Sequence, residues 1–242
     1  MRILFVFILV LSSCSSLDPV TRDRDQSNEV SDPFEQINRK TYQFNEKIDS
    51  KILKPTAEIY SGFPPAIKKG VTNFFNNLEE VDTSVNQLLQ GKPKESITDI
   101  TRFVINTTIG IAGFFDVATH MGLVRHEEDF GQTLAVWGVE EGPYIMLPLL
   151  GPSTLRDTLS RPVSSFLSVT FHMTETDVNI ALKSVDALET RERLLEVESL
   201  LSGDKYSFVK DAYIQSMYYE IKDGINVEDK FVDDMDDFLI DQ

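Results

Sequence analysis

Hydrophobic positions recur along most of this chain at helical spacing. Phe34, Ile37, Thr41, Phe44 and Ile48 follow one another at intervals of 3, 4, 3 and 4, which puts them on one stripe of a helix. Asp32 as N-cap, Pro33 at the first helical position and Glu35 three residues after the Asp form its start signal. A second helix from about Pro65 carries Ile67, Val71, Phe74 and Leu78. A third carries Val81, Val85 and Leu88, stops at Gly91, and gives way to another that opens at Pro93. Further on, Val178, Ala181, Leu182, Val185, Leu188, Leu195 and Leu201 mark a long helix from Asp177 to Leu201 that ends at Gly203. The last helix runs from about Tyr206, with Val209, Tyr213, Met217 and Ile221, and closes at Gly224.

Two stretches depart from this pattern. Phe103 to Phe115 contains no charge, yet thirteen helical residues reach only about 20 Å and do not cross a bilayer alone. The stretch suits a buried core helix or a lipid-facing one, and Gly110, Ala112 and Gly113 permit close approach or a bend. The second stretch, Phe130 to Pro162, is broken by Gly131, Gly138, Gly142 and Gly151 and by Pro143, Pro148, Pro152 and Pro162, so no long regular element is expected there. It is also strongly apolar through Trp137, Tyr144, Ile145, Met146, Leu147, Leu149 and Leu150. Gly138 and Gly142 flank Val139-Glu140-Glu141, and Pro143 and Pro148 interrupt the apolar run behind them. This arrangement predicts either a hairpin with a polar tip and apolar legs or a rigid loop buried in the core.

The N-terminus adds a membrane attachment. Arg2, an apolar run from Ile3 to Leu11, and small Ser12 and Ser13 form the three regions of a secretory signal. The run reaches about 14 Å as a helix, far short of a roughly 30 Å hydrocarbon core. Leu11-Ser12-Ser13-Cys14 resembles the lipobox of bacterial lipoproteins, which implies cleavage after residue 13 and acylation of Cys14, the only cysteine. Ser15 rather than Asp follows that cysteine, which favours sorting to the outer membrane. Residues 14–31 are then the acylated cysteine and a polar tether, 32–224 the body, and 225–242 an acidic, disordered tail.

Charge narrows the possible partners. Without residues 1–13 the chain has 22 basic and 39 acidic residues, a net charge of −17. Nucleic acid and loose adsorption to anionic lipid are both disfavoured, so attachment rests on apolar contact and on the anchor. Catalytic signals are absent. His120, His126 and His172 lack metal spacing, Ser153 has no second glycine of a nucleophile elbow, and no glycine loop leads to a Lys. Glu127, Glu128 and Asp129 have the charge to seat a cation but read first as a solvated acidic loop. No enzyme, metal or cofactor is expected.

Several blocks stand out in order across residues 32–224: Asp32-Pro33 with Asn38-Arg39 and Tyr42-x-Phe44-Asn45, Asn73 to Glu80, Arg102 to Ala118, Asp129 to Asp157, Glu189 to Leu201, and Asp211 to Gln215. Together they resemble the MlaA (VacJ) family of outer-membrane lipoproteins. The resemblance implies an all-α, ring-like single domain of amphipathic helices enclosing an amphipathic channel, set in the periplasmic leaflet of the outer membrane. It further implies removal of stray phospholipid from the outer leaflet, delivery to a periplasmic lipid carrier, and a trimeric porin as neighbour. On that reading Phe103, Val104, Ile111, Phe114, Phe115, Trp137, Tyr144, Met146 and Leu147 are candidates for the lipid path or membrane contact. Gly138, Gly142, Pro143 and Pro148 belong to the gate hairpin, and Arg102, Arg125, Arg156 and Arg161 are candidate phosphate contacts. A structural lipoprotein that scaffolds a porin or envelope complex through the same apolar face is the other class that fits, with a lipid hydrolase a distant third.

Overall fold

The structure, a computed structural model, describes residues 30–173, 176–200 and 203–223. Acylation at Cys14, most of the tether and the acidic tail lie outside the described residues. The first rod is α1 (Glu35–Ile48), a π-helical turn (Asp49–Leu53) and α2 (Lys54–Ser61). Pro55 explains the wide turn: its ring lacks an N–H and crowds the carbonyl four residues back. The Lys54 N–H accordingly reaches Asp49 O, five residues back. Phe34, not Asp32, occupies the N-cap and makes no side-chain cap bond. Asp32 instead accepts from Asn38 at 2.8 Å and from the Tyr206 hydroxyl at 2.5 Å, so a tertiary network claims the expected cap.

Next comes α3 (Pro65–Leu89), one continuous helix where two were predicted, followed by α4 (Pro93–Thr108) packed against it. Ile111, Ala112 and Gly113 all adopt positive φ, which ends α4 inside the uncharged stretch instead of letting it run on. Asn77 lies where a Gly113 Cβ would come within 2.6 Å of it, so glycine is required there on both backbone and steric grounds. After α5 (Val117–His120) and α6 (Phe130–Val136) come strands β1 (Tyr144–Leu147) and β2 (Gly151–Thr154). They pair antiparallel, Tyr144 opposite Thr154 and Leu147 opposite Gly151. The chain closes with α7 (Leu155–Leu167), α8 (Val169–Met173), α9 (Thr176–Leu200) and α10 (Lys205–Ile221). The fold is therefore predominantly all-α with one small hairpin. Its α7 is longer than the glycines and prolines led us to expect, because Pro162 is accommodated inside it.

The hairpin sits elsewhere than predicted. Its tip is apolar Pro148-Leu149-Leu150, not Val139-Glu140-Glu141, and it is anchored rather than free. Tyr144 and Met146 are buried with Val30 and Tyr206, and Tyr42 and Tyr213 pack alongside. Tyr144 meets Tyr206 and Tyr213 edge-on, each at 6.2 Å between centroids. The Tyr144 N–H donates to Ser31 O at 2.9 Å, so residues 30 and 31 belong to the body, not to the tether.

Candidate functional site

Burial in this molecule is inverted. The stripe of α1 points outward, with Ile37 at 63% exposure, while Asn38 between its apolar neighbours is 2% exposed. On α3 the buried set includes Asn77, Glu80, Ser84 and Gln87; on α4 it is Ser96, Asp99, Arg102 and Asn106. Ile97, Ile100, Val104, Ile109 and Ile111 face out. A water-soluble domain puts the opposite set inside.

The α3–α4 seam holds by paired polar groups. Arg102 Nε donates to Glu80 at 2.7 Å, Nη1 to Leu123 O at 2.6 Å and to Thr119 at 3.0 Å, and Nη2 to Asp116 at 3.3 Å. Asn106 joins by donating to Asp116 at 3.0 Å and accepting from the Ala118 N–H at 2.9 Å. Burial pushes the Glu80 carboxyl up to about 7 despite the guanidinium beside it. Arg102 is thus a structural keystone with no free face for a phosphate, contrary to the sequence expectation. Arg156 is likewise buried and donates to Asp157 at 3.0 Å. Arg161 is half-buried with its Nε unpartnered, and Arg125 bridges Glu79, at 2.9 Å, and Glu127.

The apolar candidates divide. Val104, Ile111, Phe115 and Trp137 are exposed, Phe103, Phe114 and Leu147 half-buried, and Tyr144 and Met146 buried in the hairpin core, which removes those two from any lipid-facing surface. The Phe114 ring lies directly over Gly70, where a Cβ would come within 2.1 Å of it. An outer groove of about 350 Å³ runs beside this contact, lined by Ala66, Lys69, Asn73, Phe115 and His120. Among the hairpin candidates, Gly138 and Gly142 have positive φ, Pro148 opens the apolar tip, and the Pro143 carbonyl accepts from the Leu155 N–H at 3.1 Å.

Two adjoining cavities lie along α3 on the face roughly opposite its buried Asn77, Glu80, Ser84 and Gln87. The larger, about 220 Å³, is lined by the carboxylates of Glu79, Asp82, Glu127, Glu128, Asp129 and Glu220, with Thr83 and Gln132. The smaller, about 120 Å³, shares Glu79 and Asp82 and adds Phe75, Leu78 and Leu182. Together they give one acidic wall and one apolar wall. Glu127 and Asp129 are exposed, as a solvated acidic loop would have them, but Glu128 is buried and bound to Lys92 at 2.8 Å, and Asp129 caps α6 by accepting from the Gln132 N–H at 2.7 Å. Sequence reading missed Glu79, Asp82 and Glu220. The polar stripe Asn73, Asn77, Glu80, Ser84 and Gln87 signals the α3–α4 seam instead, since Asp82 lies on the opposite side of the same helix. His126 contacts buried Asp99 at 3.0 Å, and among the described residues no group of three acidic, His or Cys side chains is arranged to hold a metal.

The cavity charge predicts a pH effect. Burial, with the Asp129 charge added, pushes Asp82 up to about 7. A carboxyl raised in the folded state contributes stability that is present below its unfolded pKa and is lost as pH rises through about 7. Asp82→Asn is expected to raise the melting temperature at about pH 8 and to change it far less at about pH 5. Equal shifts at both pH values in thermal melts would contradict this.

No helix of the described residues is long and apolar enough to cross a membrane. Comparison with known proteins gives a consistent answer. The MlaA lipoprotein family matches residues 30–220. The intermembrane phospholipid transport system lipoprotein MlaA of Escherichia coli (strain K12) is 38% identical over 192 residues, covering 76% of each chain. Its Haemophilus influenzae counterpart is 31% identical over 229 residues, covering 92% of this chain and 90% of the other. A solved structure, reported as the structural basis for maintenance of bacterial outer membrane lipid asymmetry, aligns with a TM-score of 0.71 at 35% identity, covering 79% of this chain and 99% of that one. With this coverage and the shared helical fold, the chain belongs to the MlaA lipoprotein family.

Proposed function

We propose that this protein is an outer-membrane lipoprotein that removes phospholipid from the outer leaflet and maintains lipid asymmetry. In this reading it is anchored through acyl chains on Cys14 and faces the periplasm. It passes each lipid to a periplasmic carrier and has a trimeric porin as its neighbour in the membrane. The observation that carries the reading is the inverted burial. Ile37, Ile59, Ile97 and Leu159 face out while Asn38, Glu80 and Arg102 are enclosed, an arrangement suited to apolar surroundings. The names of the relatives, which speak of intermembrane phospholipid transport, support the same cargo.

An apolar exterior by itself serves a porin scaffold equally well. The adjoining cavities favour a conduit, since a phospholipid has apolar tails and a charged head and needs both kinds of wall. Phe75, Leu78 and Leu182 supply the first, and Glu79 and Asp82 the second. Mass spectrometry of the full-length, detergent-extracted protein tests anchor and cargo together. Acyl chains on Cys14 and co-purified phospholipid are the expected result. A protein acylated but free of phospholipid would support the scaffold, and an unmodified Cys14 would remove the anchor.

A further inference from the structure

The larger cavity is unbalanced in charge. Its carboxylates Glu79, Asp82, Glu127, Glu128, Asp129 and Glu220 meet only Arg125 and Lys92 as ion-pair partners. Among the described residues, Asp82, Asp129 and Glu220 have no basic side chain at ion-pair distance. Asp82 is held by the Asn86 amide at 3.0 Å and Glu220 by the Ser216 hydroxyl at 2.7 Å.

Two unsatisfied groups accompany this imbalance. Gln132 lines the cavity, is 8% exposed, and its Oε1 has no hydrogen-bond partner. Arg125, pinned between two of the lining carboxylates, has a buried Nε without an acceptor but does not itself line the cavity. Buried polar groups are ordinarily paired, so at Gln132 the cavity lacks a partner that donates.

Resting on the phospholipid reading above, we infer that this cavity is a head-group site selective for zwitterionic phospholipids with a protonated primary amine. Asp82 and the Gln132 amide oxygen receive the ammonium, with the exposed carboxylates of Asp129 and Glu220 on the same lining, and the phosphate lies toward Arg125, which pairs Glu79 and Glu127 there. An ammonium has three donors and no acceptor, which matches a wall of carboxylates and an amide oxygen. The half-buried Asp82 carboxyl is pushed up by burial, the condition that a bound cation relieves, while Asp129 and Glu220 stay exposed. A bare divalent ion fits less well, because the described acidic groups do not converge on one coordination point. An anionic phosphoglycerol head brings a phosphate and no cation, and is repelled by the unpaired carboxylates. The smaller cavity, joined through Glu79 and Asp82, offers Phe75, Leu78 and Leu182 to the acyl end of the same lipid.

The test uses the full-length protein in detergent micelles and measures competition against a fluorescent phospholipid. The competitors are phosphatidylethanolamine, its N-acetylated form and phosphatidylglycerol, with magnesium chloride alone as a further arm. Phosphatidylethanolamine is expected to compete roughly tenfold better than the N-acetylated form, which lacks the charge but keeps the tails. In the double variant Asp82→Asn, Glu220→Gln, with helical circular dichroism unchanged, the preference is expected to shrink to about twofold or less. Equal competition by all three lipids in the wild type overturns the head-group inference and leaves phospholipid carriage standing. Displacement by magnesium without any amine preference overturns it in favour of a metal site. A preference that survives in the double variant overturns the assignment to these residues, and absence of binding by any phospholipid overturns carriage as well.

Discussion

Arg102→Met is expected to destabilise the fold by about 3–5 kcal/mol, a large fraction of the stability of an ordinary domain. The guanidinium is 1% exposed and joins α3, α4 and the loop after α5 through Glu80, Asp116, Thr119 and Leu123 O. Methionine fills the volume but leaves Glu80 enclosed without a counter-charge, together with an unpaired carbonyl. Glu80 is already held up to about 7 and can escape by taking a proton. A raised carboxyl loses its stabilising contribution as pH climbs, so the variant's deficit is smaller at about pH 6 than at about pH 8. Urea unfolding followed by circular dichroism reads both quantities. A loss under about 1 kcal/mol at the higher pH would mean that the network is not the keystone of the seam.

Asn38→Leu is expected to cost about 2–6 kcal/mol, from two buried backbone groups orphaned at roughly 1–3 kcal/mol each. Asn38 Nδ2 donates to Tyr144 O at 3.1 Å, and its Oδ1 accepts from the Met146 N–H at 2.9 Å. The side chain acts as a substitute strand along the free edge of β1. Asn45, two helical turns on, repeats the arrangement by donating to Leu147 O at 2.9 Å and accepting from the Leu149 N–H at 2.8 Å. Asn45→Leu serves as the comparison. Leu149 is exposed at the hairpin tip, so water replaces the lost partner and the penalty is smaller. Equal penalties in the same unfolding assay would show that burial of the edge does not set the cost.

Local signals were read with good accuracy where they act alone. The helix expected over Asp177 to Leu201 is Thr176–Leu200, and the last one, expected to close at Gly224, runs over Lys205–Ile221. Pro93 opens α4 as predicted, because a missing N–H costs nothing in the first turn. The division of α3 was wrong because Glu79 and Glu80 interrupt the apolar count without interrupting the backbone. The gate hairpin was misplaced for a related reason. Glycines at 138 and 142 signal positive φ, but pairing depends on which strand edges find partners, and those of β1 are claimed by Ser31 and Asn38. Of the candidate arginines, Arg102 and Arg156 could not be told from ligand-binding ones, since a guanidinium looks the same in sequence whether its carboxylate belongs to a lipid-facing wall or to a sealed seam.

Helical structure, two-faced helices and the blocks of one lipoprotein family are all legible in the residues alone. Those properties follow from backbone propensity, from the 3.6-residue period and from runs of neighbouring residues, all of which are local. Which face is inside is set by contacts between distant parts of the chain. A period fixes the angle between apolar and polar stripes but carries no sign, and the sign comes from partners far apart in the chain. Glu80 meets Arg102 across 22 positions, Gln90 meets Glu128 across 38, and Asn38 meets Tyr144 across 106. Each of those pairings satisfies a group that is costly to bury alone, so once they form, the polar stripes are enclosed and the isoleucines are left outside.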